Sequence, residues 1–181
     1  MAKYPSIEVG DPWTADLANA MLPDYVIKSV ATLRPSTTTL ADDPDLQTPT
    51  LLANATYLVE FSLRYATTKE AAIKTAWNVP AGLLSANRTV SGLGQISTTG
   101  ALDNTPSGTT FSSRSGVHGY ATPIGYGSRD SVSNQVELRE TSVVIMGATA
   151  GVIAIQWAQL ASTAVNTGVF ATSYVRTIRL S

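Results

Sequence analysis

The chain has 181 residues, 14% of them charged and 44% apolar, with a formal net charge of −1 and no cysteine. This composition excludes disorder, disulfide staples and thiolate metal sites, and it leaves no electrostatic footprint for nucleic acid or an anionic membrane. Ser and Thr stand where Lys and Glu would normally sit, so the surface either is buried against other subunits or carries the Thr-rich outer face of a β protein.

Residues 1–13, MAKYPSIEVGDPW, read as an extended arm. Pro5, Gly10 and Pro12 break regular structure, while Tyr4, Ile7, Val9 and Trp13 are large apolar groups with no core of their own. One Lys and no apolar run predict no secretory leader. Thr14 then suits an N-cap and Asp16 a first helical turn; Leu17 and Met21 share one face, and Pro23 ends the helix. Residues 1–22 together form an attachment segment. Its candidate contact residues are Tyr4, Ile7, Val9, Trp13 and Leu17.

From Tyr25 the hydrophobic period changes to two. YVIKSVATL begins a strand, and RPSTTTLADDPDLQ reads as a turn-rich link. Within it Asp42, Asp43 and Asp45 read as a solvated turn; a weak cation site at a subunit boundary is the alternative, because Pro44 and the short spacing fit a calcium loop poorly. TYLVEFSLRY has the clearest alternation, with Tyr57, Val59, Phe61, Leu63 and Tyr65 on one face. AAIKTAWNV alternates again, placing Ala71, Ile73, Thr75, Trp77 and Val79 together, and reads as its hairpin partner.

Residues 80–131 are rich in Gly, Ser and Thr and read as long surface loops joined by brief β segments. The remainder is strongly β: QVELRETSVVIMG, GVIAIQWAQLA and VFATSYVRTIRL. Between the first two lies GATAG. A phosphate loop would need a helix after its glycines, but the residues that follow Gly151 are β-branched at period two. Gly147 and Gly151 therefore predict a hairpin turn with glycine at positive φ.

No catalytic, cofactor-binding or metal-ligating set emerges. His118, the one histidine, lies in a Gly-flanked segment without Cys or paired carboxylates nearby. GYGSR is not a nucleophile elbow. Glu137 and Glu140 flank Arg139 with no catalytic partner in view. Trp77 and Trp157 fall at core-facing parity, and Trp13 reads as an anchor on another surface. The expected fold is all-β: an antiparallel, jelly-roll-like β-sandwich of roughly eight to ten strands over residues 23–181, preceded by the arm and one short helix.

Several segments are shared in order with a known group. GDPWTADLANAMLPDYVIKSVATLRPSTTTLADDPDLQ, LLANATYLVEFSLRYAT, IKTAWNVPAG, VVIMGATAGVIAIQWAQLASTA and SYVRTIRL resemble structural proteins encoded by phages and prophages of actinobacteria. The resemblance spans most of the chain, with a gap over the Gly-rich middle. It implies a trimeric β-sandwich virion component, made in the host cytoplasm and carried on the outer surface of the particle, with no catalytic residues and no cofactor. The expected function is that of a non-enzymatic capsid decoration or minor capsid protein. Its partners would be its own copies and the major capsid protein or other virion proteins, not nucleic acid or membrane. The alternative is a tail- or head-fibre-associated module that recognises a host glycan or protein through residues 80–131.

Overall fold

The computed structural model describes residues 5, 7–97, 102–103 and 113–181. Tyr4 lies outside the described residues. The helix α1, Ala15–Ala20, is capped by Thr14, whose hydroxyl accepts from Leu17 N, and it buries no residue. Among the described residues all other regular structure is strand.

Two antiparallel sheets enclose one core. The larger contains, in order, β1 (Asp24–Ile27), β14 (Tyr174–Arg179), β4 (Thr56–Thr67), β11 (Ser131–Ile145), β6 (Asn87–Leu93) and β9 (Ser113–Gly119). In it β13 (Thr167–Val169) also pairs with β4, and β2 (Thr32–Arg34) pairs with β13. The smaller runs β10 (Ile124–Tyr126), β5 (Ile73–Asn78), β12 (Ala154–Gln159) and β3 (Ala41–Gln47). A ribbon of β7 (Ile96–Ser97) and β8 (Leu102–Asp103) stands apart.

The register shows that some of these pieces are one strand. Asp24 faces Thr177 and Ile27 faces Tyr174; Thr32 faces Val169 and Arg34 faces Thr167. The two partners skip the same number of residues, so β1–β2 and β14–β13 pair in one continuous register across a shared interruption. Take β1–β2, β3, β4, β5, β10, β11, β12 and β13–β14 as strands one to eight. The larger sheet then reads 1-8-3-6 and the smaller 2-7-4-5. That order is the pair of interlocked Greek keys of a jelly roll. The segment between the fourth and fifth strands adds β6 and β9 to the free edge of β11, which makes ten strands in the two sheets among the described residues.

The alternation in the sequence places the core. Val59, Phe61, Leu63 and Tyr65 on β4 are fully buried, as are Ile73 on β5 and Ile153, Ile155 and Trp157 at β12. Phe61 meets Trp77 edge-on across the sheets, with ring centroids 5.0 Å apart. A geometry of this kind contributes roughly 0.5–1.5 kcal/mol beyond burial.

Four local expectations fail, each for a physical reason. β5 is not the hairpin partner of β4. It pairs with β10 and β12, and residues 68–72 carry the chain from one sheet to the other, with Ala72 at φ +47°. Period two reports which face is buried, not which strand lies alongside. GATAG also joins the two sheets instead of closing a hairpin, since β11 and β12 do not pair. Its glycines serve close approach, not positive φ: a Cβ on Gly147 would lie far inside contact distance of Gly82 O, and one on Gly151 would lie 2.5 Å from Pro80 Cβ. ADDPDLQ is the strand β3, not a link. It lies at the edge of its sheet, where Pro44 deprives no neighbour of a hydrogen bond. Residues 80–131, finally, hold more than brief β segments: RTVSGL lies in β6, which pairs with β9 from Asn87–Gly119 to Leu93–Ser113. Their alternation was masked by small polar residues, and His118 lies on β9 instead of in a loop.

Gly147→Ala should lower stability by about 1–3 kcal/mol, the usual range for an overpacked site. The check is the urea midpoint at unchanged m-value; a midpoint equal to wild type would show that the 82–147 contact is not a constraint.

Candidate interaction surface

The polar groups that most resemble a site are sealed. Glu140, on β11, is fully buried and accepts hydrogen bonds from Tyr126 OH at 2.7 Å, Trp77 Nε1 at 2.7 Å, Arg88 Nη1 at 2.5 Å and Thr75 Oγ1. Arg88, on β6, also donates through Nη2 to Thr75 O and Thr122 O. Both side chains of the ion pair are 0% exposed. The donors come from β5, β6 and β10, so the carboxylate ties the two sheets together. Both groups are shut off from solvent.

A second cluster repeats the design at the other flank. Asp43 of β3 accepts from Lys28 Nζ at 2.8 Å, from the backbone N–H groups of Asp45 and Leu46, and from Trp157 Nε1 at 2.9 Å. Lys28 also donates to Thr32 Oγ1 and Asp45 Oδ2. Arg34 lies over the Trp157 ring, 4.1 Å from its centroid, a cation–π contact. The expectation of a solvated Asp turn is thus overturned for Asp43, which is fully buried. The cation held there is the chain's own Lys28, at the interruption between β1 and β2. Among the described residues no group of three or more His, Cys, Asp or Glu is arranged to hold a metal ion.

Trp77 and Trp157 are buried as their parity predicts. Their N–H groups serving the two carboxylates could not be read from spacing, because the partners lie 63 and 114 residues away.

The exposed apolar groups tell a different story. Val9 is fully exposed, Trp13 is 68% and Ile7 49% exposed, and Leu17 is half-buried on a helix that buries nothing. The arm and α1 lead into β1 at one end of the sandwich. There the loops 48–55, 79–86 and 146–153 meet. Leu51 and Gly151 exchange backbone hydrogen bonds, and Asn54 N donates to Gly147 O. Leu22, Leu52, Leu84 and Val152 all stand exposed at this end. Between α1 and the loop lies an open cleft of about 420 Å³, lined by Asn19, Leu22, Leu52, Tyr57 and Arg179 among others. Ile7, Val9 and Trp13 are thus exposed on the segment that leads into α1, and the end of α1 lies beside an apolar crown. The sequence did not reveal the crown, because its members are isolated leucines and valines in loops far apart in the chain.

No family model matches the chain. No curated protein matches it either. Chains in solved structures of infectious bursal disease virus are weakly similar. The Gt strain gives 13% identity and a TM-score of 0.23 over 87% of this chain and 42% of that one. The Gx strain gives 11% and 0.20 over 88% and 42%. This chain spans less than half the length of those chains, and at such scores the likeness carries no argument about fold or function.

Removing Glu140 leaves Arg88 buried and unpaired, so Glu140→Ala should destabilise by about 3–5 kcal/mol. The double change Arg88→Met with Glu140→Leu should be less severe than Glu140→Ala alone; equal losses in the urea midpoint would deny that the pair acts as a unit.

Alkaline stability follows from the buried phenols. Burial raises both Tyr65 and Tyr126 well above the ordinary value of 10.0, and for Tyr126 the adjacent Glu140 charge adds to it. The unfolded phenols ionise first, so the unfolded chain loses protons before the folded one does. Stability is therefore intact below about pH 10 and falls as pH rises above it. Tyr126→Phe should flatten that fall, measured as the difference in urea midpoint between about pH 8 and about pH 11.

Proposed function

We propose that the chain is a non-enzymatic virion structural protein, a jelly-roll subunit that decorates a phage capsid or serves as a minor capsid protein. One observation carries this reading: the segment 7–22 leaves Ile7, Val9, Trp13, Met21 and Leu22 exposed, with Leu17 only half-buried. Exposed large apolar groups on a projecting arm are stabilised only when a neighbour covers them. The jelly roll is compatible with the reading without deciding it, since the same fold serves lectins and cupins as well as viral capsids. The resemblance to structural proteins of actinobacterial phages and prophages supports it further.

On this reading the sandwich projects outward from the particle and the arm lies on the major capsid protein or another virion protein. A charged fraction of only 14% suits a surface that meets copies of itself, and the subunit assembles as a trimer. The chain is made in the host cytoplasm and needs no cofactor.

Deletion of residues 1–13 should leave a folded sandwich that no longer joins particles, measured by quantitative mass spectrometry of purified virions. Undiminished incorporation would reject arm attachment. Many copies per particle agree with decoration of the shell, whereas a few copies confined to the tail favour a receptor-binding module. Native mass spectrometry of the isolated protein should show a trimer, and a monomer at all concentrations would remove that part of the reading.

A further inference from the structure

The outer face of the smaller sheet carries a groove of about 350 Å³ beside the turn that follows β9. That size lies within the range of roughly 300–1,000 Å³ typical of small-ligand sites. Its floor is apolar, formed by Val79, Pro80, Ala81 and Leu83. On one side stands Tyr120, 39% exposed. On the other stand Asn78 and Gln156.

Both sides are held in place before any ligand arrives. Tyr120 O accepts from Trp77 N at 2.8 Å, and Thr122 N closes the turn onto Gly119 O at 3.1 Å. The carbonyl of Thr122 is in turn gripped by the buried Arg88. The Asp42 carboxylate, outside the lining, accepts from Asn78 Nδ2 at 2.9 Å and from Gln156 Nε2 at 2.9 Å. The two amides come from β5 and β12, and Asp42 comes from β3. With their N–H groups turned to Asp42, the amide oxygens face away from it as fixed acceptors.

The geometry points to a binding site for a neutral saccharide ring in this groove. A sugar offers one face of C–H groups, which covers an aromatic ring, and a rim of hydroxyls, each both donor and acceptor. Tyr120 supplies the ring. Asn78 and Gln156, braced by Asp42 behind them, supply the oriented polar row. A preorganised polar row of this kind binds without first losing its own conformational entropy. The Asp42 carboxylate behind the row disfavours anionic ligands, and the lining itself is uncharged.

The inference does not depend on attachment through the arm. The test uses the full-length protein and saturation-transfer NMR with the methyl glycosides of glucose, galactose, mannose and N-acetylglucosamine, and with sialic acid as the anionic probe. Transfer to the ring protons of at least one neutral glycoside is expected. Tyr120→Ala and Asp42→Ala should each weaken it about tenfold, a loss of about 1.4 kcal/mol. Tyr120→Phe should retain it, and Trp13→Ala should leave it unchanged. Asp42 and Tyr120 both lie outside the core, and Gln156→Ala provides a further variant of the polar row should Asp42→Ala not fold. Absence of transfer to every neutral glycoside would overturn the site. So would transfer to sialic acid alone, or transfer equal in wild type and Tyr120→Ala.

Discussion

The Glu140 carboxylate is the constraint from which most of the sandwich follows. It is fully buried, and it is stable there because Arg88, Trp77, Tyr126 and Thr75 all donate to it. Removing such a group from water costs several kcal/mol, which its partners offset only in good geometry. Each donor thus fixes the position of a strand: β5 and β10 in one sheet, β6 beside β11 in the other. The β6–β9 extension hangs on this point, since Arg88 is its one fully buried charge. The turn bearing Tyr120 hangs on it too, through Thr122.

At the opposite flank Lys28, Asp43 and Trp157 repeat the logic. There the ion pair also accounts for the interruption between β1 and β2: the chain leaves the pleat at Lys28, and the ammonium reaches Asp43 and Asp45. An inward-pointing charge at an edge strand discourages pairing with another sheet edge. The two clusters give the sandwich a specific alignment of its sheets that apolar packing alone would leave loosely determined, since hydrophobic attraction has no direction. The contrast with the N-terminal segment is marked. The buried carboxylates of Glu140 and Asp43 find their donors within the chain, whereas Ile7, Val9 and Trp13 stand exposed on the segment before α1. A stable core and an unsatisfied projection fit the reading of a subunit that brings its own fold to an assembly and uses a separate segment to join it.

How much was legible differs from element to element. β4, β5, β12 and β14 were read from period two, and the faces assigned to Tyr57 through Tyr65 and to Ile153 through Trp157 are the buried ones. The helix was read from Thr14 and Pro23, and the jelly-roll class from the run of alternating segments. The ends of strands and the sheet to which each belongs were not. β3 was hidden because Asp and Pro are poor strand formers, and its stability comes from Lys28 and Trp157, which lie far away in the chain. β6 and β9 were legible only as brief β segments, because Gly, Ser and Asn resemble loop composition whether or not a neighbouring strand supplies hydrogen bonds.

By itself, the sequence determined the local quantities: which residues alternate, where helix and strand begin, that the interior is apolar and that the arm is not part of it. These follow from backbone sterics and from the free energy of moving side chains out of water, both of which act over a few residues. Tertiary structure alone decided that β4 and β5 lie in different sheets, that Asp43 and Glu140 are buried anions, that GATAG needs glycine for proximity to Gly82 and Pro80, and that Tyr120, Asn78 and Gln156 share a groove. Each of these depends on contacts between residues far apart in the chain, and no local pattern encodes a partner's distance.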